Sequence, residues 1–165
     1  MGISSGTRQT RPGLAPETAK ILETATRVLV GVALRSLEVL AGAVTLPQYR
    51  MLATLADLGP SRSVQVARAL GLEASTVTRL ADRLVAAGHV RRGVELGHRG
   101  VVTLELTSTG QHLVDQVTAW RHEELARILG QLPVDGGAQV TTALRHLAEA
   151  AGDEYGTISN RVIPA

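Results

Sequence analysis

The sequence predicts a mainly α fold carrying one small β-ribbon, and three observations predict it. Over 165 residues, 44% are hydrophobic and 19% charged, a globular balance. Phe is absent and the aromatic residues are Trp120, Tyr49 and Tyr155, so the core must be built from Leu, Val, Ile and Ala, a set dense in helix formers. Apolar residues then recur at helical spacing along most of the chain, whereas one stretch, 89–106, alternates as strands do around a Gly-bounded tip.

The elements follow in order. Residues 1–15, rich in Gly, Ser, Thr and Pro, read as a mobile N-terminal tail. A long helix is expected from Pro16 or Glu17 to Ala43, with Ile21, Leu22, Ala25, Val28, Leu29, Val32, Leu37 and Leu40 near helical spacing. A helix of that length in so small a protein rarely buries its whole apolar surface within one subunit. Pro47 suits the first turn of a second helix that begins after Thr45 or Leu46 and stops at Gly59-Pro60. A short helix from Val64 to Leu70 presents Val66, Ala67 and Leu70, and Gly71 fits the left-handed position that ends it. After a turn through Leu72 and Glu73, another helix runs from Ala74 to Ala87, with Gly88 closing it in the same way.

Strands are predicted at His89–Val94 and Val101–Leu106, joined by a tip at 95–100. Thr107, or Ser108 with Gln111, can cap a helix that reaches Gly130. Pro133 and Asp135-Gly136-Gly137 form a turn before a last helix at Ala138–Ala151, and 152–165 reads as a flexible tail. Two helices joined by a tight turn and followed by a two-stranded ribbon constitute a winged helix-turn-helix, assigned to 46–106. The flanking segments 16–45 and 107–151 are read as helical.

Charge points to the same segment. Lys20 is the sole Lys against 16 Arg, and the net charge is +2. Between Ser61 and Gly100 stand Arg62, Arg68, Arg79, Arg83, Arg91, Arg92 and Arg99 against Glu73, Asp82 and Glu95, a local net charge of +4. Concentrated positive charge is the footprint of a polyanion site. On a helical wheel of 74–87, Val77, Leu80, Ala81 and Leu84 share one face; Ser75, Thr78, Arg79 and Asp82 point away, with Thr76 and Arg83 on the flanks. Hydroxyls near a helix N-terminus suit phosphate, and Arg pairs bidentately with guanine O6 and N7. The bland alternative is a solvated face with Arg79 or Arg83 paired to Asp82.

Other chemistries find little footing. There is no Gly-rich phosphate loop, no nucleophile elbow and no Ser/His/Asp set on turns, so no enzyme is expected. His112, Asp115, His122 and Glu123 share a helix without metal-ligand spacing, and neither metal nor cofactor is expected. Trp120 reads as a packing residue rather than a ligand sensor, and His98 as an exposed loop residue. Cys is absent, which excludes disulfides and a thiol switch. No apolar run reaches membrane-span length, Val28–Val44 being broken by Arg35 and Glu38, and the N-terminus has no signal-peptide block. A cytoplasmic protein is expected.

The sequence resembles the MarR family of bacterial and archaeal regulators. The resemblance is carried by LPQYRMLATLADLGP (46–60), VARALGLEASTVTRLADRLVAAGHVRR (66–92) and VTLELTSTGQHL (102–113). It implies a sequence-specific double-stranded DNA-binding regulator on a pseudo-palindromic operator, and a homodimer whose first and last helices, in 16–45 and 107–151, knot together into a helical dimerisation region. It also implies the 74–87 helix in a major groove, the wing tip on a minor groove, and a small-molecule effector between the two lobes that changes the separation of the two recognition helices. Ser75, Thr76, Thr78, Arg79, Arg83 and Arg99 are the expected DNA contacts. The wing departs from the pattern: His98-Arg99-Gly100 stands where the family carries Asp-x-Arg, which leaves Arg99 one residue early. The competing class is a winged-helix protein-interaction module, whose helix face would lose its Arg and hydroxyl groups.

Overall fold

The computed structural model describes residues 14–94 and 101–152. Six helices and one antiparallel ribbon occur among them: α1 (Pro16–Arg35), α2 (Leu46–Leu58), α3 (Ser63–Leu70), α4 (Ala74–Ala86), β1 (Val90–Val94), β2 (Val102–Leu106), α5 (Ser108–Leu129) and α6 (Gly136–Ala151). No helix of the described residues is long and apolar enough to cross a membrane. The core is one cluster drawn from α2–α5, the ribbon, and Leu40 and Val44 just before α2. Met51, Leu52 and Leu55 of α2 meet Val66 and Leu70 of α3, Val77 and Leu84 of α4, Val90 and Leu104 of the ribbon, and Leu113, Val114 and Val117 of α5.

The expectation of one helix to Ala43 is corrected, since α1 ends at Arg35. Ser36 is fully buried, and its hydroxyl donates to the Ala33 carbonyl at 2.6 Å, in competition with the helix ladder. A 3-10 turn at Glu38–Leu40 then brings Leu40 into the core. Leu37 and Leu40, three apart, satisfy either kind of turn, which is why periodicity ran on through the break. The segment reverses through Ala41, at φ 47° and ψ 34°, and Gly42, at φ 81°. Ala41 thus holds a left-handed conformation that costs an L-residue about 1–2 kcal/mol. Ala41→Gly is expected to raise stability by about 0.5–1 kcal/mol after the entropy cost of Gly. A denaturation midpoint unchanged or lowered at constant m-value contradicts this.

Local chemistry sets the other boundaries. At α2 the Gln48 carboxamide oxygen accepts from the Thr45 N–H (2.8 Å), and Leu46 precedes Pro47 in the first turn. Gly71 (φ 65°) and Gly88 (φ 76°) end α3 and α4 in the left-handed conformation read from sequence. The following N–H groups turn back, from Leu72 to Ala67 O at 3.0 Å and from His89 to Leu84 O at 2.9 Å. Thr107 caps α5: its Oγ1 accepts from Gly110 N (3.1 Å) and donates to Gly88 O (2.7 Å), tying the start of α5 to the end of α4. α6 starts at Gly136, two residues earlier than expected, after a turn closed by Gly136 N to Pro133 O at 2.7 Å.

The ribbon pairs Val90 with Leu106 through to Val94 with Val102. Ser61 adds a bridge on the far side of β2, exchanging N–H···O bonds with Leu104 at 3.1 and 2.8 Å. α1 and α6 remain sparsely covered. Val32 is the one buried residue of α1 and α6 has none, while Ile21, Val28, Leu29, Val30, Leu34, Leu144 and Leu147 lie exposed.

Candidate nucleic-acid interface

α4 is positioned by its apolar face. Val77 and Leu84 are fully excluded from solvent, and Leu80 and Ala81 nearly so. That rotation leaves Ser75, Thr78, Arg79, Asp82 and Arg83 exposed and Thr76 half-buried, the arrangement expected from the wheel. Arg79 and Arg83, one turn apart, form a cationic stripe. Among the described residues neither has an ion-pair partner. Thr78 Oγ1 donates to Ala74 O at 3.0 Å, which leaves the hydroxyl's lone pairs facing outward as acceptors. Glu73 makes no side-chain capping bond, so its carboxylate does not occupy the first-turn N–H groups of α4.

Asp82 is committed elsewhere. Its carboxylate pairs with Arg92 on β1, linking the exposed face of α4 to the ribbon. The bland pairing with Arg79 or Arg83 is therefore not the one adopted. A second pair, exposed Arg91 with half-buried Glu105, joins the strands across the register. Glu105 lies over Gly93, where a Cβ would fall 2.0 Å from the carboxylate oxygen, and Thr103 Oγ1 donates to the same oxygen at 3.3 Å. Sequence reasoning counted Arg91 and Arg92 only as charge. The register pairing of 91 with 105 was the signal available once the turn was placed. Arg99, the sixth expected contact, and the altered tip His98-Arg99-Gly100 lie outside the described residues.

Behind α4 the helix-turn-helix is braced. Arg50 of α2 reaches the carbonyl of Leu70 at the end of α3 (3.4 Å), where a cation meets the negative end of the helix. At the base of the wing, Gly110 packs beneath the backbone of His89, with Thr107 N donating to the His89 carbonyl at 3.1 Å. α4, the ribbon and α5 therefore converge on residues 88–89.

A helix-turn-helix whose second helix bares Arg and hydroxyl groups, followed by a paired ribbon, defines the winged helix-turn-helix class. Comparison with known proteins narrows it. The family model described as MarR family matches residues 44–100. The HTH-type transcriptional repressor MdtR of Bacillus subtilis (strain 168) is 32% identical over 108 residues, 66% of this chain and 70% of that protein. The crystal structure of RV1404 from Mycobacterium tuberculosis superposes with a TM-score of 0.78 at 31% identity, covering 87% of this chain and 99% of that one. A likeness of fold extends to Streptococcus pneumoniae FabT in complex with DNA, with a TM-score of 0.70 and 19% identity over 82% of this chain and 98% of that one. The chain belongs to the MarR family of transcriptional regulators, which are non-enzymatic DNA-binding proteins.

Proposed function

We propose that the protein is a homodimeric, ligand-responsive repressor that acts in the cytoplasm on a pseudo-palindromic operator. The observation that carries the reading is the face of α4, on which Ser75, Thr78, Arg79 and Arg83 are exposed and the two Arg side chains are free of ion pairs among the described residues. A guanidinium held by no carboxylate is available to guanine or phosphate without first breaking a salt bridge. Thr76, half-buried at the start of α4, stands beside the phosphate backbone, and Arg99 supplies the wing contact. MdtR is by its name a repressor and FabT was solved bound to DNA, which supports the same assignment here.

The apolar residues that α1 and α6 leave in water support homodimerisation, since a second copy would cover them. Two copies place two α4 helices in successive major grooves, with half-sites about one helical turn apart. An effector bound between the helical dimerisation region (16–45 and 107–151) and the winged lobe (46–106) alters that separation, a coupling worth about 1–3 kcal/mol. Arg79→Ala is expected to weaken operator binding by about 1–3 kcal/mol at fixed salt and to relax preference at one base position. Anisotropy titrations on the preferred duplex check it. Equal affinity of the variant and the parent removes Arg79 from the reading face.

A further inference from the structure

Few apolar contacts within the chain fix the direction of α1. Only Val32 of its 20 residues is buried, and its packing partners are α5 and the 3-10 turn. The connection to α2 bends through Ala41 and Gly42, both at positive φ. α2 and α5 share the core, and polar contacts from Arg121 of α5 tie the end of α1 to both. Its Nε donates to Ser36 Oγ at 2.8 Å, at the end of α1, and its guanidinium stands 5.2 Å from the ring centroid of Tyr49 in the second turn of α2.

Each partner has a defined orientation. The Ser36 hydroxyl spends its one proton on Ala33 O and so can only accept from Arg121. Ser36 is fully buried and Tyr49 is 4% exposed, so neither can exchange these contacts for water at no cost. Burial pushes the Tyr49 phenol above its ordinary pKa, opposed by Arg121 and by a hydrogen bond with Thr118, and the ring stays neutral beneath the cation. Arg121 lies one turn beyond Val117, the last buried residue of α5, where that helix leaves the winged lobe. A cation over the ring combined with directional Nε donation suits Arg; a Lys ammonium keeps the charge without the fixed donor geometry.

We propose that Arg121 is a positioning residue that fixes the angle between α1 and the winged lobe, and with it the half-site spacing the dimer accepts. The proposal rests on the homodimer and operator reading above. Its test uses the full-length protein and duplexes that carry the preferred half-sites with the spacer shortened or lengthened by one or two base pairs. The parent protein is expected to prefer one spacing by a factor on the order of ten. Arg121→Lys is expected to keep its dimeric mass and its affinity for the best duplex within about threefold while the spacing preference collapses toward unity. Ser36→Ala, which removes only the acceptor, is expected to flatten the preference in the same way, and it carries the test should Arg121→Lys fail to fold. A spacing preference identical to the parent's in a folded variant overturns the role of Arg121 and leaves the operator reading intact. A parent protein indifferent to spacing overturns both.

Discussion

Leu29→Glu combined with Leu147→Glu is expected to yield a folded monomer of 17.4 kDa that no longer retains a two-half-site duplex. The two leucines lie on α1 and α6, 43% and 55% exposed, outside the core cluster. The substitutions therefore spare the packing that holds the winged lobe, and helical circular dichroism is expected to survive. In a dimer built on these helices the new carboxylates would have to be desolvated without partners, which association cannot offset. Once the two lobes are no longer linked, each half-site is bound separately. Affinity for the full operator should fall by about 10²-fold or more. Light scattering and a duplex titration read both effects, and an unchanged dimer mass would place the dimer surface elsewhere.

Gly110→Ala is expected to act through stability alone. A Cβ at this position would lie 2.1 Å from the His89 carbonyl oxygen and 3.1 Å from Leu106 Cδ2. The carbonyl is part of the backbone and cannot swing aside, and it also accepts from Thr107 N, so the start of α5 must move away from the end of α4. Forcing atoms into a packed site of this kind costs about 2–3 kcal/mol. For a chain of this size that lowers the melting temperature by roughly 5–10 °C. Serine, also carrying a Cβ, should behave the same way, and a melting temperature within a degree of the parent's would contradict the packing described.

The features legible in the sequence are those that depend on near neighbours. Gly71 and Gly88 were placed by the need for a left-handed residue after each helix, and both occupy it. The outward face of α4 followed from the spacing of Val77, Leu80, Ala81 and Leu84, all buried. The break at Ser36 is not legible in the sequence because no local pattern marks a hydroxyl that is buried and accepts from Arg121, 85 residues away. Ser61, which in the sequence marks only the start of the basic segment, pairs with β2 because the chain returns there from α2. Gly93 and Gly110 resembled ordinary glycines until Glu105 and the His89 carbonyl filled the space a side chain would need. The Asp82–Arg92 pair spans a helix end and a turn, so its spacing of ten residues matches no periodicity.

The most direct test of the central claim is selection of bound sequences from a pool of random duplexes, using protein refolded from denaturant to strip any bound effector. The account predicts enrichment of an inverted repeat whose half-site centres lie about 10 base pairs apart, the separation of successive major grooves on one face of the duplex. A pool that stays random through the selection, or that converges on an isolated asymmetric half-site, would contradict it.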